Sequence, residues 1–280
     1  MAINRSRVQR GVRSLQDGLL DLSSRDLPPR RLRRTISPLW FDFRGSGIDQ
    51  VNYFAELAGL EPSGRLLDLG CGVGRVALPL TRYLSGQGSY EGLDPQAPNI
   101  DWCRAHISAQ FPNFHFDVIE GNTDERETTA HPLPFEDESF DLVYAGALFT
   151  DIPFETTCHY LAEAARILKP GGRVVATWLV FNEGTQAVVP GRSVTKRWPR
   201  DYGSHRNTAE GVWPSLLYEE SWLRTQHDSA GLDVLDPLRV DASYCLGRGY
   251  DRPESAVHLY YAHSVMAVRR GGAGEARASS

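Results

Sequence analysis

Residues Leu66 to Arg75 read L-L-D-L-G-C-G-V-G-R: an apolar run, an acid, and then glycine at positions 70, 72 and 74. Leu66, Leu67 and Leu69 have the character of a buried strand, and Val73, Ala77, Leu78 and Leu80 supply the apolar side of a helix after the glycine turn. The turn therefore falls at the carboxyl end of a strand, where open α/β sheets bind ligands. Glycines permit positive φ and remove the side chains that hold a ligand off the main chain, so a nucleoside can lie against this backbone. A pyrophosphate-binding turn spaces its glycines G-x-G-x-x-G and aims helix-terminal amides at the anion. Here the spacing is G-x-G-x-G, and Asp68 stands two residues ahead, which favours a cationic or amine-bearing ligand over a phosphate. A glycine-rich turn that binds nothing is the alternative.

Working outward, Ser89 to Asp94 (S-Y-E-G-L-D) reads as a second strand ending in an acid, where nucleoside-binding α/β units put a ribose-binding carboxylate. Asp94 can accept from both ribose hydroxyls, or it can cap the helix begun by Pro95. Phe114 to Ile119 alternates as a third strand does, and Glu120, Gly121 and Asn122 open a polar loop after it. Leu133 to Asp141 leads into Leu142 to Phe149, a near-continuous apolar run that fits a central strand buried on both faces. Glu163 to Gly172 (E-A-A-R-I-L-K-P-G-G) reads as a helix end stopped by Pro170 and two glycines, feeding a strand from Arg173 to Phe181.

In their order and spacing these blocks resemble the class I S-adenosylmethionine (SAM) dependent methyltransferases, strongest over Leu66 to Phe181. Three further stretches, Pro28 to Leu32 (P-P-R-R-L), Ile100 to Cys103 (I-D-W-C) and Tyr160 to Gly172, resemble the bacterial members that act on small molecules. The resemblance implies SAM as cofactor. By it, Gly70 and Gly72 pass under the cofactor, with Cys71, Gly74 and Arg75 beside them, and Asp68 lies near its amino-acid end. Asp94, Pro95 and Gln96 fall on the ribose side. Glu120, Gly121 and Asn122 fall at the adenine, where many members have Asp in the place of Glu120; Asp124 competes for that role. Ala145 completes the cofactor set. The implied fold is a Rossmann-like, doubly wound α/β domain with a seven-stranded, mostly parallel sheet, a C-terminal antiparallel hairpin and an N-terminal helical extension. The strand order 3-2-1-4-5-7-6 comes from the resemblance alone.

The 280 residues allow one large α/β domain with accessory elements. The organisation expected is an N-terminal helix and basic linker over 1–36, the methyltransferase domain over 37–270 with a lid-like insertion at 182–215, and a disordered tail over 271–280. Val8, Val12, Leu15, Leu19 and Leu22 recur at helical spacing, which favours a packed amphipathic helix over a targeting peptide despite Arg5, Arg7, Arg10 and Arg13. Leu27 to Arg34 reads as a proline-stiffened basic connector. Glu219 to Gly231 is a helix with a glycine stop, and Leu232 to Val240 with Leu259 to Val268 are the last two strands. A net charge of -5 disfavours nucleic acid as partner. The four cysteines form no C-x-x-C pair, so no structural zinc or disulfide framework is indicated, which fits a cytoplasmic protein. No apolar run reaches the length of a membrane span.

The acceptor side is less legible. Ser37 to Tyr53 and the insertion Asn182 to Ser215 are rich in aromatic and polar residues, as small-molecule pockets are. Trp40, Phe41 and Arg44 on one side and Trp198 and Tyr202 on the other are the candidate acceptor-binding residues, with Phe43, His205 and Trp213 nearby in sequence; core packing is the competing role for the aromatics. Asp151 follows the fourth strand in F-T-D-I-P, where related small-molecule methyltransferases often have histidine. A carboxylate there would act as a base with a raised pKa or would orient the acceptor, and His205 or His159 could take a hydroxyl's proton. Asp141 and Asp151 are the one acidic pair to weigh for a metal, and no metal is expected. The function implied is methyl transfer from SAM to an O, N, S or C nucleophile of a small molecule such as a sugar, lipid or secondary metabolite. The alternatives are a catalytically silent SAM-binding module that works through a partner, or a nucleic-acid methyltransferase using Arg30 to Arg34.

Overall fold

In the computed structural model the described residues are 27–36, 42–119, 131–182, 200–201, 205–207, 216–238 and 262–271. They fall into two compact units, one ending at Gly121 and the other beginning at Asn122. The expected N-terminal amphipathic helix and the C-terminal tail lie outside the described residues.

In the first unit, Arg30–Ile36 forms helix α1 directly after Pro28 and Pro29, so the expected connector is helical from Arg30 onward. The amides of Leu32 and Arg33 both bond to the Pro29 carbonyl. Prolines just ahead of a first turn lose no hydrogen bond and preset φ, which turns a stiff linker into a helix start. Helix α2 (Phe43–Glu56) follows, with Asp42 as its N-cap accepting from the Gly45 amide at 2.9 Å. Strands β1 (Arg65–Leu69), β2 (Ser89–Asp94) and β3 (Phe114–Val118) pair in parallel in the order 3-2-1. The helix expected after the glycine turn is only Ala77–Leu80, α3, because Pro79 has no amide for the ladder; Leu78, Leu80 and Thr81 still bond four residues back. Helix α4 (Ala97–Cys103) begins two residues later than Pro95 and opens into a π-helical turn over Arg104–Ser108.

In the second unit β4 is Phe140–Ala145 and pairs in parallel with β5, Leu168–Phe181. The apolar run to Phe149 had suggested a longer strand, but Gly146 and Ala147, the latter at φ 58°, turn the chain out after Ala145. Helix α5 (Phe154–Ile167) ends before Leu168, and K-P-G-G lies inside β5 instead of ending the helix. Gly171 at φ 76° absorbs the irregularity there: Phe140 pairs with Leu168, whereas Leu142 pairs with Arg173. Arg166 ties α5 to the segment ahead of β4, donating to the Leu133 and Phe135 carbonyls, while Glu163 accepts from the Leu133 amide.

Helix α6 (Glu220–Ser229) ends at Gly231, φ 80°, as its glycine stop implied. Strand β9 is Leu232–Val234, shorter than the run to Val240, and it pairs antiparallel with β10, Ala262–Arg269. Strand β10 also pairs antiparallel with β5, so this unit has the order 4-5-7-6 when β9 and β10 are counted as the sixth and seventh strands. The insertion contributes two short strands, β6 (Arg200–Asp201) and β7 (His205–Asn207), which form an antiparallel ribbon with β8 (Leu216–Glu219).

Candidate active site

The glycine loop after β1 is shaped by its neighbour β2. The amides of Gly70 and Cys71 both donate to the Leu93 carbonyl, at 2.8 and 3.0 Å, and the Gly74 amide donates to the Cys71 carbonyl. The Gly72 amide donates to Oδ2 of Asp94 at 2.9 Å. Gly70, Gly72 and Gly74 all have positive φ, between 55° and 82°, which glycine adopts without strain. With these four amides occupied, the loop offers no ring of N–H groups to a phosphate. That agrees with the acid at Asp68 and separates the loop from a pyrophosphate-binding turn. Gly74 has a packing role as well: a Cβ there would meet the Ile107 Cδ1 at 2.9 Å and the Cys103 Sγ at 3.1 Å.

Asp94 is 6% exposed and bridges two segments. Its Oδ2 takes the Gly72 amide, its Oδ1 takes the Gln96 amide at 2.9 Å, and the Asn99 side chain donates to it as well. Burial pushes this carboxyl above its ordinary range, against the three hydrogen bonds that pull it down. A carboxylate accepts about four hydrogen bonds, so one place remains for a ribose hydroxyl while the residue also organises the start of α4. Asp94 is not the helix cap itself, which is Gln96; it braces that residue through its amide, and this leaves the ribose reading open. Pro95 and Gln96 are exposed beside it. The Cys71 side chain is buried, its Sγ 3.6 Å from the Gly72 carbonyl, so only its backbone faces the loop.

Asp68, 2% exposed, accepts a 2.7 Å hydrogen bond from the Tyr90 hydroxyl. Burial pushes the Asp68 carboxyl up to about 7; the Tyr90 bond and the charge of Arg75 lower it and Asp94 raises it. Tyr90 and Asn99 are the site residues that motif reading did not single out. The signal for the first was Gly92, a glycine inside a strand, which marks a close approach.

Arg44 lies in the first turn of α2, half-buried, and its Nε has no acceptor among the described residues. Phe43 beside it is core, 4% exposed. In the second unit Ala145 is the last residue of β4 and Asp151 is exposed in the turn that follows. Asp141 is the second residue of β4 and accepts from Lys169 Nζ at 2.8 Å. At about 3.3 Å of rise per residue, the strand alone puts some 17 Å between its two ends, so Asp141 and Asp151 do not converge. His159 sits on α5 with its Nε2 3.1 Å from the His131 carbonyl. His205 is in β7, as far as its backbone is described. Glu120, Gly121, Asn122, Asp124, Trp40, Phe41, Trp198, Tyr202 and Trp213 lie outside the described residues.

Residues 67–176 match a family described as a methyltransferase domain. A 2-phytyl-1,4-naphtoquinone methyltransferase of Trichormus variabilis is 34% identical over 118 residues, 41% of this chain and 46% of that protein. The ubiquinone/menaquinone biosynthesis C-methyltransferase UbiE of Xylella fastidiosa is 28% identical over 204 residues, 69% of this chain and 76% of that protein. Among solved structures, a 1,6-didemethyltoxoflavin-N1-methyltransferase of Burkholderia thailandensis, with bound 1,6-didemethyltoxoflavin and S-adenosylhomocysteine, aligns with a TM-score of 0.51 at 16% identity, over 97% of this chain and 92% of that one. The chain spans about half the length of the first two curated relatives it matches, 46% and 45%. Fold, motif order and family match together define a class I methyltransferase domain on a Rossmann-like α/β scaffold. Its cofactor is SAM.

Proposed function

We propose that this chain transfers the methyl group of SAM to a small-molecule acceptor, and that the acceptor is a reduced quinone methylated at a ring carbon. The observation that carries the donor half is the occupied set of loop amides beside two buried acids, Asp68 and Asp94, which fits a nucleoside with a cationic tail and not a phosphate. The acceptor half draws on the names of the relatives, a 2-phytyl-1,4-naphtoquinone methyltransferase and a C-methyltransferase of ubiquinone/menaquinone biosynthesis.

SAM supplies an electrophilic methyl on a sulfonium, and the chain's task is to hold donor and acceptor in line. In this reading Asp94 holds the ribose and the positive-φ glycines let the nucleoside approach the main chain. From their place in the sequence, Arg44, Trp40, Phe41, Trp198 and Tyr202 are the residues assigned to acceptor binding. Methylation of a ring carbon forms a C–C bond, breaks the C–S bond and releases the ring proton. We assign Asp151 to orient the acceptor's hydroxyl or take its proton, with His205 as the second candidate.

The test is transfer of label from methyl-labelled SAM to reduced 2-phytyl-1,4-naphthoquinone by the purified chain, read by extraction and mass spectrometry. A product heavier by one CH2 is expected. Label in amine or sugar acceptors but not in the quinol would move the acceptor class. SAM binding with transfer to no acceptor would make the chain a silent SAM-binding module.

A further inference from the structure

Tyr90 has an unusual setting for a tyrosine in a central strand. It pairs with Leu66 in the parallel register of β1 and β2, and its hydroxyl reaches the carboxyl of Asp68, whose own partner across the ladder is Gly92. A side chain at Gly92 would block that reach: a Cβ there would stand 3.0 Å from the Tyr90 Cε1, 3.0 Å from the Cys71 Sγ and 2.8 Å from the Phe116 Cδ1. On β3, Phe114 stacks on the Tyr90 ring at 5.3 Å between centroids, and Phe116 leans against it at 5.4 Å. The phenol is fully buried and thus fixed in place by a glycine gap and two aromatic rings. Burial, then the neighbouring Asp68, hold its proton on, so the hydroxyl donates and Asp68 accepts.

The charged and titratable groups that face Asp68 are Tyr90 and Asp94 from β2, Arg75 after the loop, Cys71 in the loop and Cys103 from α4. The hydrogen bond that Asp68 receives among the described residues comes from Tyr90 alone, on Oδ2. SAM carries two cationic groups, an ammonium that donates hydrogen bonds and a sulfonium. We propose that Tyr90 is a positioning residue for the cofactor: its hydroxyl fixes Oδ2 of Asp68, favours the ionised carboxyl, and leaves Oδ1 to attract the ammonium of SAM. This rests on SAM being the cofactor and adds a residue to the site that no motif names.

A carboxyl held up to about 7 must lose its proton to pair with a cation, so SAM affinity falls as pH drops below that value and binding there releases a proton. Removing the Tyr90 hydroxyl takes away a bond that stabilises the ionised form, so the fall-off moves to higher pH. Tyr90→Phe keeps the ring that Phe114 and Phe116 clamp and deletes only the donor.

The experiment is calorimetric titration of SAM into the full chain between pH 6 and 8.5, in two buffers of different ionisation heat, for wild type, Tyr90→Phe and Asp68→Asn. For a one-unit shift, Tyr90→Phe binds about tenfold more weakly than wild type at pH 6 and within about twofold of it at pH 8.5. Titration of the ligand's own amine affects both proteins alike and leaves that ratio intact. Wild type releases a proton near pH 6 and Asp68→Asn releases none, a readout that stands even if Tyr90→Phe folds poorly. A Tyr90→Phe to wild-type ratio that is flat across the range is what a packing defect gives and overturns the proposal, as does pH-independent binding without proton release. Failure of wild type to bind SAM at any pH overturns the cofactor reading and this inference together.

Discussion

The loop after β1 and the loop after β4 both leave the carboxyl ends of parallel strands, and both contain residues at positive φ, yet they are held in opposite ways. In the first, glycines at 70, 72 and 74 take the left-handed conformation without strain, and their amides close on the loop itself and on the adjacent strand β2. In the second, Ala147 takes φ 58° with a Cβ in the way. Its carbonyl accepts from the Thr150 hydroxyl at 2.9 Å, while β8, far along the chain, supplies two more ties: the Leu216 amide to the Thr150 carbonyl at 2.8 Å, and the Tyr218 hydroxyl to the Phe149 carbonyl at 3.0 Å. Thr157 adds a contact to the same hydroxyl at 3.3 Å. A loop whose own residues prefer its shape needs little support, whereas a loop in a costly shape persists only where the surroundings over-determine it. The glycine loop, proposed to seat the methyl donor, is of the first kind and the loop bearing Asp151 is of the second.

That contrast is open to breaking. The largest effect is expected at the glycine loop: Gly72→Val puts a β-branched residue at φ 55° and should weaken SAM binding by about 100-fold in calorimetry, the equivalent of ~2.7 kcal/mol. Binding within a few-fold of wild type would show that this glycine does not shape the seat. Next is Asp94→Ala, which strands the amides of Gly72 and Gln96 and removes the proposed ribose acceptor. A loss of ~1–3 kcal/mol in urea unfolding is expected, with SAM affinity falling in parallel. A variant of full stability but weak binding would give Asp94 a purely ligand-facing role.

On the other side, Tyr218→Phe removes one buried donor from the Phe149 carbonyl and should cost about 1 kcal/mol of stability. SAM affinity should stay within about twofold while methyl transfer drops. Equal loss of both would erase the distinction between the two loops. The smallest effect is Ala147→Gly, which relieves the left-handed alanine and should raise stability by about 0.5 kcal/mol, visible as a small rise in melting temperature. A fall instead would mean that the anchors, and not the backbone, set the conformation.

The shape of the glycine loop was legible because each of its requirements is local. Three glycines in a row of alternate positions, an acid two residues ahead and a second acid at the end of the next strand lie within thirty residues, and pairing of β1 with β2 in parallel register brings them together. Elements whose ends depend on distant partners were misjudged. The apolar run through Phe149 implied a longer β4, because Phe149 is hydrophobic for reasons of burial and not of strand pairing: it is 1% exposed, lies against Trp178 of β5 at 4.8 Å, and its carbonyl accepts from Tyr218 of β8. Pro170 and its glycines looked like a helix stop, yet they form an irregularity in β5, where an advance of five residues from Leu168 to Arg173 stands against one of two from Phe140 to Leu142 before pairing with β4 resumes. Tyr90 passed as an ordinary aromatic strand residue, because its reach across Gly92 exists only once β1, β2 and β3 are side by side.

By itself, then, the sequence determined the class of domain and its methyl donor and singled out the two acids proposed to face it, since those are written in conformational freedom and charge at short range. Only tertiary structure decided that the loop amides are occupied, that Asp68 is wired to Tyr90, and that β8 holds the turn carrying Asp151. Each of these depends on a hydrogen bond or a ring contact between residues separated by about twenty to seventy positions, and such pairs meet only when the sheet has formed.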